Sequence, residues 1–260
     1  MSSASGIERI AAAFSGSGKR AALMPYLMGG FPDVAGSLAV GEAYADAGAD
    51  LVEVGVPFSD PLADGPVIHA AGTDALRAGA TVHLVLEMAG ALSERVPVVL
   101  MCYANPVLAR GVERFAGELG ERGISGLIVP DLPLEEAPAA LTACDAAGVA
   151  LVPLAAPTTP EDRLAAIGSR ARGFLYAVSV TGTTGERTGI DGAGGLLARV
   201  RPHASVPVAL GFGISTPEQA RQAADAGAQG VIVGSRLVRA AGEGEDVGAL
   251  VGAFAAALAH

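Results

Sequence analysis

Residues 45–55 read ADAGADLVEVG and residues 224–234 read ADAGAQGVIVG. Both pass from an alanine-rich helix end through a glycine, Gly48 or Gly227, into a short apolar run closed by a second glycine, Gly55 or Gly234. The same order returns more loosely in ERGISGLIVPD (121–131) and DAAGVALVPLA (145–155). The repeating unit is helix, glycine, strand. Gly48, Gly123, Gly148 and Gly227 stand where a helix ends in a residue of positive φ, a conformation that only glycine adopts without steric penalty. The β-rich runs between helices cover residues 22–28, 50–54, 97–102, 125–129, 149–154, 173–178, 206–210 and 230–233, which makes eight strands. Helix-patterned segments separate them, with Val34, Leu38, Gly41 and Ala45 on one helical face and STPEQ (215–219) carrying a full start signal. In that signal Thr216 is the N-cap, Pro217 the first helical residue and Gln219 the closing member of a capping box.

Eight continuous apolar strands alternating with helices over about 250 residues fit a (β/α)8 TIM barrel, whose sheet is covered on both faces. The expectation is a single barrel domain over residues 1–260 with a short extra helix at its N-terminus. An open doubly wound sheet would want a G-x-G-x-x-G turn after its first strand, and MGGFPD (28–33) is not one. The chain has 260 residues, 51 % of them hydrophobic, and a formal net charge of -10, which argues against binding a nucleic-acid backbone. It lacks both a bilayer-length apolar run and a signal-peptide pattern, so a cytoplasmic location is expected. Cys102 and Cys144 lack metal-ligand spacing, and apolar filler is the expected role of both. No metal site is expected.

Barrel enzymes do their chemistry at the C-terminal ends of the strands. Five residues past the helix-stop glycine stand Ile128 and Ile232 in two copies of the repeat, and Glu53 in a third. A carboxylate takes an isoleucine slot. Asp60 and Asp64 follow in the next loop, where a turn role competes for Asp64 and a loop cap for Asp60. At the far end of the chain GFGIS (211–215) and GSR (234–236) follow strands seven and eight, where many barrels hold phosphate on backbone N–H groups and the start of a helix. The loop after strand six, SVTGTTGERTGID (179–191), has the length of a mobile lid. SGSGK (15–19) fails as a P-loop, with Ala13 and Arg20 at positions that need Gly and Ser or Thr. Lys19 is the sole lysine and precedes the first strand, which removes Schiff-base chemistry, and His69, His83, His203 and His260 read as solvated surface. General acid–base catalysis by Glu53 and Asp64 is the leading option.

LVEVGVPFSDPLADGPVIHAA (51–71), VPDLPLEE (129–136), TGTTG (181–185), GFGIS and GVIVGS (230–235) occur in that order, and together the chain resembles the tryptophan synthase alpha subunit family. The resemblance implies retro-aldol cleavage of indole-3-glycerol phosphate to indole and glyceraldehyde 3-phosphate, with neither metal nor organic cofactor. It gives Glu53 proton transfer at the indole C3 and the glycerol hydroxyl, and Asp64 the indole N–H. It gives Gly185, Gly213, Gly234 and Ser235 the phosphate, and Tyr176, Thr184, Phe212 and Leu127 the pocket wall. It implies a pyridoxal-phosphate beta subunit in an α2β2 assembly, faced by Asp60, Pro61 and Asn105. Leu23 stands where the resemblance leads one to expect an aromatic near the indole. A free-standing indole-3-glycerol-phosphate lyase, a non-catalytic regulatory subunit and another phosphate-handling barrel lyase or isomerase are the alternatives, and a barrel built on a catalytic lysine lacks that lysine here.

Overall fold

Helix, glycine and strand follow one another along the chain as the repeat predicts. The computed structural model describes residues 4–178, 193–211 and 213–260. Gly48, Gly123, Gly148 and Gly227 have φ of 97°, 70°, 70° and 101°. Each lets the chain leave a helix and turn straight into a strand. Thr216 caps its helix as expected, with Gln219 completing the capping box.

The strands are β1 (Ala22–Met28), β2 (Val52–Gly55), β3 (Val98–Met101), β4 (Gly126–Ile128), β5 (Ala150–Leu151), β6 (Leu154–Ala155), β7 (Leu175–Val178), β8 (Val208–Gly211) and β9 (Gly230–Val233). All pair in parallel, in the order β5-β4-β3-β2-β1-β9-β8-β7-β6. The two ends of that order are consecutive in the chain, separated by Val152 and Pro153. The Val152 N–H donates to the Leu127 carbonyl, and the Tyr176 N–H donates to the Pro153 carbonyl. One short stretch thus pairs with β4 through its first half and with β7 through its second, and the sheet closes on itself. The fifth of the eight expected strands is written in two pieces because proline has no N–H to give the ladder.

Side chains alternate between two buried layers, as a strand's period of two requires. Inside the barrel lie Ala22, Met24, Leu51, Val99, Ile128, Ala150, Val152, Phe174, Tyr176, Ala209 and Ile232. Outside, between sheet and helices, lie Leu23, Leu27, Val52, Val54, Val98, Leu100, Leu127, Leu175, Leu210, Val231 and Val233. The extra N-terminal helix α1 (Gly6–Gly16) sends Ile10 into the inner layer, and its Phe14 ring lies 5.7 Å from Phe174, which fills the end of the barrel opposite the expected chemistry. Helix α2 (Val34–Asp46) buries Ser37, Gly41 and Tyr44, a face turned by one residue from the expected stripe; Val34, Leu38 and Ala45 flank it. A side chain at Gly41 would lie 2.6 Å from Leu92, so the glycine sets how closely α2 packs on α4 (Val82–Ser93). Among the described residues no single helix is long and apolar enough to cross a membrane.

Candidate active site

Strand β2 is apolar except for Glu53, whose Cα is in register with Tyr26 on one side and Val99 on the other. Val99 belongs to the inner layer, so Glu53 enters the barrel with it. The isoleucines of the matching slots, Ile128 and Ile232, are both inside. Glu53 is 1 % exposed, and neither carboxylate oxygen accepts a hydrogen bond from a described residue. Burial, with the charge of Asp64 second, pushes its pKa up to about 8, so the carboxyl is mostly protonated at neutral pH. A carboxyl kept neutral in an apolar cavity is a ready proton donor.

Asp64 lies in the loop between β2 and helix α3 (Pro66–Arg77). The turn reading of ADGP holds for the backbone, since Gly65 is the N-cap residue and Pro66 the first residue of α3. The Asp64 side chain plays a separate role, because its Oδ1 accepts from the Tyr103 hydroxyl at 2.9 Å. Burial raises its pKa, against the opposing pull of the Tyr103 hydrogen bond and of His69. The two carboxyls therefore face different surroundings, one apolar and without a hydrogen bond from the described residues, the other hydrogen-bonded. Such a pair divides acid and base roles between its members.

Three tyrosines surround them. Tyr176 projects inward from β7, and burial followed by the charge of Glu53 holds its phenol well above the usual value. Tyr26 is held up by burial and then by Asp64 and Glu53. A side chain on Gly55 would overlap the Tyr26 hydroxyl, and one on Gly211 would overlap that of Tyr176. These two glycines end their strands so that phenol groups can reach across the mouth of the barrel. The first strand supplies its aromatic through Tyr26 and not at residue 23: Leu23 packs in the outer layer, because odd and even positions of β1 face opposite ways.

The phosphate candidates divide. Gly213 has φ 82°, and a side chain there would meet no atom of the described residues within 4 Å. Gly234 precedes helix α6 (Ser235–Glu243) without a side-chain cap, and Ser235 opens that helix half-buried. The Gln219 side chain accepts from the Ser215 N–H, Ser215 hydroxyl and Thr216 N–H at 2.8, 3.0 and 3.1 Å, which fixes the end of the GFGIS loop. Thr184, Gly185, Phe212 and the whole expected lid lie outside the described residues.

Leu127 does not join the site. It packs in the outer layer, and its neighbour Ile128 holds the inward position, since one step along a strand reverses the face. Asp60, bonded to the Ser59 hydroxyl at 2.6 Å, is exposed, Pro61 is half-buried, and Asn105 is exposed on helix α5 (Ala104–Arg110). Lys19 pairs with Asp50 at 2.8 Å, below β2 and away from the carboxyl pair. Among the described residues no three His, Cys, Asp or Glu side chains gather as a metal site. A lateral cavity of about 390 Å³, bounded by Leu132, Leu134, Leu141, Arg163 and Ile167, includes neither Glu53 nor Asp64.

The chain matches known proteins over most of its length. Residues 13–252 fit the family model of the tryptophan synthase alpha chain. The chain belongs to that family. The tryptophan synthase alpha chain of Prochlorococcus marinus (strain MIT 9313) is 49 % identical over 225 residues, 85 % of this chain and 81 % of that one. A solved structure of Mycobacterium tuberculosis tryptophan synthase superposes with a TM-score of 0.91 at 40 % identity, covering 99 % of both chains. A chain of the tryptophan synthase α2β2 complex from Pyrococcus furiosus superposes with a TM-score of 0.84 at 37 % identity, covering 92 % of this chain and 98 % of that one.

The apolar repeat singles out Glu53, and the loop after it offers Asp64; Tyr26 and Tyr103 are missed, and Gly55 and Gly211 are read as strand-end and loop glycines without the phenols that they admit. A signal for Tyr26 was present: it shares the even-numbered face of 22–28 with Met24. Tyr103 lies beyond its strand, where alternation no longer places a side chain.

Proposed function

We propose that this chain cleaves indole-3-glycerol phosphate to indole and glyceraldehyde 3-phosphate, as the alpha subunit of an α2β2 tryptophan synthase in the cytoplasm. The observation that carries this reading is Glu53, buried inside the barrel without a hydrogen-bond partner among the described residues and protonated near neutral pH. Its proton goes to C3 of the indole ring while Asp64 accepts a hydrogen bond from the ring N–H and stabilises the positive charge that develops there. The Glu53 carboxylate then takes the proton of the glycerol hydroxyl beside the scissile bond. That bond breaks, its electrons return to the ring, the hydroxyl carbon becomes the aldehyde of glyceraldehyde 3-phosphate, and Glu53 is again protonated. Proton transfers of this kind contribute roughly 10² to 10⁴ in rate. Gly213, Gly234 and Ser235 hold the phosphate through backbone N–H groups, joined in this reading by Gly185. Tyr176 shares the pocket wall with Thr184 and Phe212.

The scheme needs neither metal nor organic cofactor, and pyridoxal phosphate belongs to the beta subunit. Partner docking is supported by two leucines beside the expected contact residues, Leu62 at 80 % exposure in the Asp60 loop and Leu108 at 60 % on the helix of Asn105. Exposed leucines of this kind are at home in an interface. The test is direct: the purified chain is incubated with indole-3-glycerol phosphate and a chelator, and indole is measured with and without the beta subunit. Indole release in chelator, accelerated by the partner, is expected; none in either mixture would refute the assignment.

A further inference from the structure

Tyr103 is 3 % exposed and sits between β3 and α5 as the N-cap residue of that helix. It grips the loop after β2 at three points. Its ring stacks on Phe58, with centroids 5.4 Å apart. Its hydroxyl accepts the Ala63 backbone N–H at 3.0 Å and donates to Asp64 Oδ1 at 2.9 Å. The backbone from which it hangs is itself pinned, because the next N–H, that of Ala104, donates to the Asp131 carboxylate at 2.8 Å. Asn105 and Leu108 project from the same short helix into solvent.

We propose that Tyr103 is a positioning residue that holds Asp64 in the place and charge state the reaction needs, and ties it to the exposed face of α5 where the beta subunit docks. This rests on the roles of Asp64 and of the partner proposed above. Tyr103 touches Asp64 and the backbone beside it, so it acts on the substrate through the carboxylate. A hydroxyl with both its acceptor and its donor engaged by one loop fixes that loop in direction as well as distance. Among the described residues the groups facing Asp64 are Glu53 from β2, Tyr26 from β1, His69 from α3 and Tyr103 itself, with Asp131 behind Tyr103. Tyr103 donates to the carboxylate, and a bond to the charged form favours that form. Removing the hydroxyl therefore shifts protonation of Asp64 to higher pH.

The experiment uses Tyr103→Phe in the full chain, which keeps the ring and its stacking on Phe58. Indole release is followed from pH 5 to 9, alone and with the beta subunit, after melting curves establish that the variant is folded. The expected result is a fall in kcat of about tenfold in the complex, the order set by one hydrogen bond to a charged group, with KM changed less than about twofold. The acid limb of the rate profile should move up in pH, a change that a merely structural role would not produce. On an Asp64→Asn background the tyrosine substitution should add little, since its target is gone. The loss in the isolated chain should be smaller than in the complex, because docking on α5 acts through this contact. A folded variant with unchanged kcat and an unmoved acid limb overturns the proposal, as does a further tenfold loss on the Asp64→Asn background. Equal losses alone and in the complex overturn the tie to α5. Full turnover by Asp64→Asn alone would instead locate the failure in the role given to Asp64.

Discussion

Strand β2 carries one carboxylate and is preceded by another three residues earlier, and they are treated in opposite ways. Asp50, just before the strand, accepts both bonds of the Lys19 ammonium at 2.8 and 2.9 Å and the Leu23 N–H at 2.7 Å. Glu53, within the strand, accepts none from the described residues. Burial raises the pKa of both, but at Asp50 the lysine and the backbone N–H oppose it, while at Glu53 the nearby Asp64 adds to it. The fold can therefore satisfy a desolvated carboxyl next to this strand, and does so at the end away from the chemistry. At the other end it leaves one without a hydrogen bond from the described residues, a carboxyl that burial keeps largely protonated near neutral pH.

Glu53→Gln should separate the two kinds of carboxylate most sharply. The amide keeps the shape and cannot titrate, so turnover should fall by roughly 10² to 10⁴ while the protein remains folded, as steady-state indole release and melting curves would show. Near-normal turnover would break the comparison. Asp50→Asn should do the reverse: it removes the partner of a lysine that is 16 % exposed, lowering stability by about 2–4 kcal/mol, with little change in kcat of the folded enzyme. Denaturant unfolding checks the first half and kinetics the second.

The pH dependence sharpens the same contrast. With an ordinary value of 4.5 and a folded value of about 8, Glu53 binds a proton in the folded state and not in the unfolded one between those limits. Stability linked to this group is therefore greatest at low pH, declines as pH rises from about 5 to 8, by at most about 1.4 kcal/mol per pH unit, and is level above that. Unfolding free energies of the wild type and Glu53→Gln, measured across this range, should differ by an amount that shifts steadily with pH, the wild type losing ground as pH rises. A constant difference would mean that Glu53 is already ionised in the folded protein.

Smaller effects belong to the phosphate and partner sides. Among the described residues a methyl at Gly234 would meet only Tyr26 Cβ at 3.9 Å, an ordinary contact, so Gly234→Ala should be tolerated by the fold. It should raise KM for the phosphorylated substrate about tenfold and leave inhibition by indole nearly unchanged. Equal weakening of both would assign Gly234 to the shape of the pocket. Asp60→Ala should change least, leaving the isolated chain as active as before and reducing its stimulation by the beta subunit a few-fold. Loss of activity in the isolated chain would transfer Asp60 from the partner surface to the chemistry.

Local rules carry far in this chain. The stop glycines, the capping box at Thr216 and the inward placement of Glu53 follow from backbone sterics and strand alternation, both written over a few neighbouring residues. The same parity, counted along β1 and β4, sends Leu23 and Leu127 to the outer layer, against what the family resemblance implies for those two positions. What no local pattern contains is the meeting of Asp64 with Tyr103, which are 39 residues apart, or of the Tyr26 and Tyr176 hydroxyls with the glycines that admit them. The turn at ADGP is equally good whether or not the aspartate has a further role. The barrel, its helix–glycine–strand rhythm and the carboxylate in an apolar slot are all legible in the order of residues along the chain. Closure of the sheet sets which distant side chains share that cavity, and so which carboxyl is desolvated among apolar groups and which is held by a phenol, because desolvation and hydrogen bonding depend on neighbours in space.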